Sequence, residues 1–312
     1  MSFRVITPLT ITDARLTSSS IAEPDAGEAV WNIATGYTLG QRVYLASNHI
    51  LYENVMATTN TGNNPAVEVQ NDPDNVPVKW LEIGRTNRWS MFNLLRTTQS
   101  VATSPMTVVL TPALRVDSIG LFGIDAGSVT VSMVSGVDTV YTATENLNTR
   151  QITDWFEYFF EPFSTKESFV RFDLPPITDA VTTVTLSSTT GTVKLGSLAL
   201  GNQTSIGDVQ YGASSDVINF SKISRAFDGT AQLLQRRSIP RNVTNIFADK
   251  SITDKLRLLR RELNAVPAVW AGIDQTDDDY FESLLILGIY TKFTINLDHP
   301  DATIVNLEIE EI

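Results

Sequence analysis

The sequence predicts a mainly β protein with a small aromatic β module, an antiparallel β-sandwich or jelly roll, and a C-terminal α+β module with one main helix. Three observations lead to this fold class. Hydrophobic residues make up 42% of the chain and charged residues only 19%, so the chain can bury a core. Thr, Val, Ser and Asn are abundant, which leans toward strands. Short apolar runs recur between Gly, Pro and Asp turns, as in antiparallel β proteins.

The patterns divide the 312 residues into four segments. The predicted segments are an N-terminal arm or linker (1–27), a small aromatic domain (28–86), a β-sandwich (87–200) and an α+β attachment domain (201–312). The first segment has a short apolar pattern and then a polar stretch, which has too little apolar surface for a core of its own. It is either a linker or an arm that orders on a neighbouring subunit.

Aromatic residues and turns dominate the second segment. Its aromatics are Trp31, Tyr37, Tyr44, Tyr52 and Trp80, and residues 58–65 and 71–77 read as loops. So short a unit must rely on its aromatics for packing. These side chains either form that small core or present rings to a ligand. The core is the favoured role for Tyr44 and Tyr52, and Trp31 and Trp80 are open to both.

The third segment contains closely spaced β-branched runs, typical of a sandwich or jelly roll. Between two runs lies an aromatic cluster at residues 155–163. Asp154 and Glu157 lie beside or within this cluster. Their residue types allow a glycosidase carboxylate pair that acts on a bound sugar. The alternative is that they are solvated charges beside an aromatic core, which is the favoured interpretation.

The fourth segment contains the one convincing helix. Leu256, Leu259 and Leu263 recur at helical spacing, Ser251 or Thr253 can cap the helix, and residues 264–267 end it. Three basic side chains lie on other faces of this helix and are predicted to contact an acidic partner. They are Arg257, Arg260 and Arg261.

The acidic segment 274–282 precedes an apolar run. Clustered carboxylates can bind calcium, but the glycine and ligand alternation of an EF-hand are absent. A solvated loop between two strands is the favoured interpretation. No other catalytic or nucleotide-binding motif is recognised.

Composition excludes several function classes. With 23 basic and 35 acidic residues the net charge is −12, which argues against nucleic acid as a partner. The chain has no cysteine and two histidines, so thiolate chemistry and histidine-rich metal sites are not expected. No metal or other cofactor is predicted. The sequence shows no secretory signal and no membrane span, so synthesis and folding in a cytoplasm are expected.

Residues 31–82 resemble the small carbohydrate-binding modules of the chitin-binding type. The matching features, in order, are Trp31, Tyr37, Gly40, Val43, Tyr52, the loop 58–65 and Trp80. In that family the tyrosine and the late tryptophan help to form the fold and the sugar-facing surface. The resemblance implies that Tyr52 and Trp80 are carbohydrate-contact candidates and that a host surface glycan is a possible ligand. Trp31 is a third candidate, because its ring is open to either role.

Most of residues 90–312 are similar to a class of tail proteins from tailed bacteriophages and prophages. The similar stretches are 195–201, 206–212, 267–270 and 305–309. The resemblance implies a structural virion component near the tail tip or baseplate, with other tail proteins as partners.

Three functions are therefore expected, in decreasing order. The first is a non-enzymatic tail-tip or baseplate protein that links the tail core to outward-facing fibres or the host surface. It would assemble in the host cytoplasm and form a homo-oligomer in a symmetric particle, since unpaired strand edges are ready docking sites. The second is a carbohydrate-binding adhesin. The third is a glycan-degrading enzyme that uses Asp154 or Glu157.

Overall fold

A computed structural model describes most of the chain. The described residues are 2–25, 28–67, 79–149, 154–160, 164–189, 191–225, 227–297 and 300–312. The predicted loop 71–77, Phe163 of the aromatic cluster and His299 lie outside them.

The strands follow one another along the whole chain. The first twelve are β1 (Ser2–Pro8), β2 (Leu16–Ser19), β3 (Ala29–Val30), β4 (Arg42–Leu45), β5 (Ile50–Asn54), β6 (Trp80–Arg85), β7 (Ser100–Thr103), β8 (Met106–Leu110), β9 (Ser118–Phe122), β10 (Ser128–Ser135), β11 (Asp138–Asn146) and β12 (Asn148–Thr149). The others are β13 (Ser164–Thr165), β14 (Ser168–Arg171), β15 (Val181–Ser187), β16 (Thr192–Leu195), β17 (Ser197–Val209), β18 (Ser214–Asn219), β19 (Lys222–Arg225), β20 (Ala231–Leu234), β21 (Ser238–Asp249), β22 (Ala268–Ala271), β23 (Leu285–Asn296) and β24 (Ala302–Glu311).

Helices contribute little to the described part of the chain. The α-helices are α1 (Trp155–Phe160) and α2 (Thr253–Glu262), and short 3₁₀ turns lie at Ser90–Phe92, Lys250–Ile252 and Glu282–Leu284. The predicted fold class is therefore confirmed: the protein is mainly β, with several antiparallel sheets and one main helix.

A nine-stranded sheet forms the body, in the order β14-β9-β17-β1-β22-β23-β24-β21-β18. Its neighbouring strands pair antiparallel, for example β1 with β17 and β23 with β24. The sheet combines strands from both ends of the chain, and β17 runs across the predicted domain boundary at residue 200. The sandwich and the α+β segment thus share one sheet.

The N-terminal segment differs from the predicted arm or linker. Strand β1 lies in the interior of the nine-stranded sheet, between β17 and β22, and Phe3, Val5 and Ile6 are buried. Strand β2 pairs with β8. The reason is that the apolar residues of this segment complete cores built by strands far away in sequence, so it needs no core of its own.

A second sheet, in the order β11-β10-β15-β8-β2, covers one end of the nine-stranded sheet. Alternate side chains of β10 and β15, such as Val131 and Val184, share a core with Ile119 and Leu121 of β9 and Leu198 of β17. Period-two alternation in β10 and β15 gives each strand one buried face. This is the sandwich that the strand spacing predicts.

Helix α2 covers the other end of the nine-stranded sheet. Leu256, Leu259 and Leu263 pack with Trp270 and Val305 of the sheet in one core, as their spacing predicts. Capping differs from the prediction. The carboxylate of Asp249 accepts a hydrogen bond from the Ser251 backbone N–H at 2.8 Å, and neither Ser251 nor Thr253 serves as the cap of the helix.

The small module is a separate four-stranded sheet, β3-β4-β5-β6. Strands β4, β5 and β6 are antiparallel, whereas β3 pairs parallel to β4. Its core contains Tyr37, Val43, Leu45, Tyr52 and Trp80. Aromatic side chains do most of the packing, as expected for so short a unit.

Candidate functional site

A protruding two-stranded hairpin is the most unusual surface feature; we call residues 210–240 the hairpin arm. Strand β18 pairs with β21 from Ser214↔Val243 to Asn219↔Ser238, and β19 then pairs with β20. Between the two ladders, Ser221 Oγ accepts a hydrogen bond from the Arg236 backbone N–H at 3.0 Å. The two ladders therefore form one continuous hairpin, in which β18 is the edge strand of the nine-stranded sheet and β19 and β20 extend beyond that sheet.

Apolar side chains of the hairpin arm face solvent. Every described residue from 222 to 238 is exposed, including Ile223 at 66% and Leu233 at 74%. Phe227 at the tip is fully exposed. An isolated two-stranded hairpin is marginal in water, and exposed apolar patches are typical of interaction surfaces in proteins generally.

The hairpin arm is basic in an acidic protein. Residues 210–240 contain four basic residues (Lys222, Arg225, Arg236, Arg237) and two acidic ones (Asp216, Asp228), a net charge of 4 − 2 = +2. The remainder of the chain therefore has a net charge of −12 − 2 = −14. Arg237, between the two ladders, pairs with Glu311 at 2.7 Å. Within the described residues, Lys222, Arg225 and Arg236 make no ion pair within 4.0 Å.

A mainly apolar cavity of about 550 Å³ lies at the base of the hairpin arm. Its apolar lining includes Tyr211 from the arm and Ile273, Tyr280 and Leu284 from the segment between β22 and β23. We call this cavity the base cavity. Tyr211 and Tyr280 are largely exposed, so the cavity is open to solvent.

The acidic loop 274–282 contributes to the base cavity and lies between two strands, as predicted. Asp274 is tied to the body: its carboxylate accepts hydrogen bonds from the Ser2 backbone N–H at 3.3 Å and from Arg4 at 3.1 Å. Partial burial alone would raise the pKa of Asp274, but these hydrogen bonds hold that pKa below its usual range. Asp277 and Asp279 are exposed.

Helix α1 is a second exposed apolar element. Five of its six residues are aromatic, and Trp155 is 78% exposed. The Asp154 carboxylate accepts the Glu157 backbone N–H at 2.8 Å, which is the geometry of an N-terminal cap. This observation accounts for Asp154 structurally, and the aromatic cluster forms no core within the described residues.

The predicted sugar-contact residues do not share one environment. Trp80 has 0% exposure and Tyr52 has 2%. The Trp80 indole N–H donates to the Asn63 carbonyl at 3.0 Å, and its ring packs edge-on to Tyr37 at 5.5 Å. Neither Trp80 nor Tyr52 presents a face for a sugar to stack on, because both rings complete the core of the small module. Burial also raises the pKa of Tyr52.

Trp31 differs from the other two candidates. It packs against the rim of the small core but stays partly exposed. Ile33 and Leu39, close to it in sequence, are exposed. A sugar-binding role of the small module therefore rests on Trp31.

The predicted basic partner site does come together. Arg257, Arg260 and Arg261 line one cavity of about 450 Å³ beside Tyr290. Arg260 is anchored, since it donates to the Phe293 carbonyl at 3.2 Å while its own carbonyl accepts the Tyr290 hydroxyl at 2.6 Å. Arg257 is exposed and lies 3.5 Å from Asp254. Their role as partner contacts remains a prediction.

A buried carboxylate joins the small module to the body. Glu23 accepts hydrogen bonds from the Thr86 hydroxyl at 2.7 Å and the Trp89 indole at 3.1 Å, and lies 3.0 Å from Nδ1 of His49. The His49 ring stacks on Trp89 at 4.1 Å. Asp13 lies 3.0 Å from the other ring nitrogen. The sequence gives no local signal for this site, because its members come from three separate segments of the chain.

No cluster of metal-ligating side chains occurs among the residues with described positions. In that same part of the chain, no helix is long and apolar enough to cross a membrane.

The comparisons with known proteins identify no relative. No protein-family model matches the chain, no curated protein is significantly similar to it, and no solved structure matches it significantly.

Proposed function

We propose that this protein is a non-enzymatic structural subunit of a tailed-bacteriophage or prophage tail tip or baseplate, which links the tail core to outward-facing fibres or the host surface. The observation that most strongly supports this proposal is the exposure of apolar side chains on the hairpin arm. Its exposed Ile223, Phe227 and Leu233 have the character of an assembly surface. The proposed partners are other tail proteins and further copies of this chain, and the proposed location is the virion tail after assembly in the host cytoplasm.

The rest of the molecule is consistent with a building block. The nine-stranded sheet joins the N-terminal strand to the C-terminal strands, so the body is built around one sheet. Three exposed features lie on this body: helix α1, the hairpin arm, and the cavity lined by Arg257, Arg260 and Arg261. Assembly proteins need such surfaces, because a neighbouring subunit must find apolar area to bury.

The test is to locate the protein in purified particles. Particles are dissociated into tails and heads, and the protein is sought by peptide mass spectrometry and by labelling with an antibody against the small module. Its presence at the tail tip at a fixed copy number is expected. Its absence from the tails of intact particles would contradict the proposal.

A carbohydrate-binding adhesin is the second candidate, favoured by the partly exposed ring of Trp31. Titration with chitin and lipopolysaccharide fragments tests it. Binding should be lost in Trp31→Ala if the ring stacks on a sugar. Unchanged binding in this variant, or no binding by the unmodified protein, would exclude the role. Hydrogen exchange of β4 and β5 confirms that the variant keeps its fold.

A further inference from the structure

We infer that the tip of the hairpin arm inserts into the base cavity of a second copy of this chain, so that copies associate head to tail. This inference rests on the proposed function as an assembly subunit and names the contact. The contact has two halves. One is the tip, with Phe227 and Arg225, and the other is the apolar base cavity with the acidic loop 274–282.

Geometry excludes insertion of the tip into the cavity of its own chain. Ser215, at the base of the arm, lines the base cavity, and Phe227 lies 12 residues farther along the chain, in the turn after β19. At about 3.3 Å per residue an extended hairpin places the tip roughly 40 Å from its base. All described residues of β19 and β20 are exposed, so the arm does not fold back onto its own body.

Apolar chemistry matches between the two halves. The tip offers the fully exposed Phe227 ring, and the base cavity offers the exposed rings of Tyr211 and Tyr280 beside Ile273 and Leu284. A volume of about 550 Å³ is within the size range of pockets that enclose a ligand group. Aromatic side chains buried in such pockets commonly dominate interface energetics.

Charge also matches between the two halves. Loop 274–282 contains five carboxylates and no basic residue, whereas the arm has a net charge of 4 − 2 = +2. Arg225 is two residues from Phe227, and Asp279 is next to Tyr280, which lines the base cavity. Docking of the Phe227 ring would therefore bring the Arg225 guanidinium close to the acidic loop. Such complementarity selects orientation and speeds encounter.

The contact joins two different surfaces, so it is heterologous. Each copy donates one tip and offers one cavity. A heterologous contact makes a ring if its rotation closes and a filament if it does not. A ring suits a subunit of a symmetric tail.

The chain has no cysteine, which permits a direct cross-linking test. One preparation of the full chain has Thr230→Cys at the arm tip, and a second has Ser283→Cys at the base cavity. The two are mixed and treated with a short bismaleimide, which tolerates small misalignment. A mixed dimer that forms much faster than either single-variant dimer is expected. As the matched control, Val137→Cys replaces Thr230→Cys, since Val137 is exposed in the turn before β11.

Two further variants sharpen the test. Phe227→Asp in the Thr230→Cys background should slow mixed cross-linking to the rate of the Val137→Cys control. Arg225→Asp should also slow it, and combining Arg225→Asp on one copy with Asp279→Arg on the other should restore it at least in part. Cross-linking no faster than the control, or unaffected by Phe227→Asp, would overturn the inference. That failure is separate from the proposed function, which is decided by where the protein lies in particles.

Discussion

The small module and the hairpin arm use apolar residues in opposite ways. In the small module, Tyr52 and Trp80 turn inward and complete a core. In the arm, Ile223 and Leu233 turn outward from a two-stranded ladder that covers neither face. A buried apolar side chain stabilises the fold that contains it, whereas an exposed one contributes favourable free energy only when a partner covers it. The small module therefore stabilises itself, and the exposed side chains of the arm support the proposal that the arm is an assembly surface.

Trp80→Ala should destabilise the small module severely. Removal of a fully buried indole should cost about 3–5 kcal/mol and also leave the Asn63 carbonyl without its donor. Hydrogen exchange should show loss of protection in β4 and β5, with the nine-stranded sheet still protected. Protected β4 and β5 in the variant would show that Trp80 does not support the module.

A matched leucine pair compares the two regions directly. Leu45→Ala, in the small core, should cost about 2–4 kcal/mol of local unfolding free energy. Leu233→Ala, on the arm, should change stability by less than about 0.5 kcal/mol. Denaturant titration followed by hydrogen exchange measures both. Equal effects would mean that the arm packs on its own body.

The junction between module and body offers a third variant. Glu23→Ala leaves the Thr86 hydroxyl and the Trp89 indole without their acceptor, so a loss of about 2–3 kcal/mol is expected. Glu53→Ala is the control, since its pair with Arg42 at 2.9 Å is partly exposed and should contribute less than about 1 kcal/mol. If the two variants are equally stable, the carboxylate does not join module to body.

The smallest expected effect is a pH dependence at the base of the arm. The pKa of Asp274 is lower when folded, so its contribution is present above the unfolded pKa of about 3.9 and is lost as pH falls through the folded pKa. Asp274→Asn should cost less than about 1 kcal/mol at pH 7 and make stability less sensitive to acid. Denaturation midpoints at pH 7 and pH 3 measure this. An unchanged difference between those pH values would contradict the assignment.

Hydrophobic spacing in the sequence predicts the elements whose structure depends on neighbouring residues. The leucine spacing of α2 and the period-two alternation of β10 are visible in the sequence, because each element buries one face. The sequence predicts an N-terminal arm or linker where the structure has β1, because the partners of β1 lie far along the chain: Val5 opposes Thr204 and Trp270. Long-range pairing leaves no mark in a local composition.

Burial was the part of the candidate site that the sequence could not determine. The aromatic run of α1 looks like a core and is exposed, whereas Trp80 looks like a ligand contact and is buried. The hydrophobicity of a side chain shows that it favours burial. It does not show which surface, in the same chain or in a partner, will bury it. The basic character of residues 210–240 within an acidic chain was the available signal for the arm.

Sedimentation of the full chain decides whether copies associate through the hairpin arm. The protein is compared with Phe227→Asp across a range of concentration and salt. The unmodified chain should sediment as species larger than one 34.3 kDa chain, with association weakened by salt because opposite charges meet, and the variant should sediment as a single chain. A monomer at every concentration in both proteins, or identical association in both, would contradict assembly through the hairpin arm.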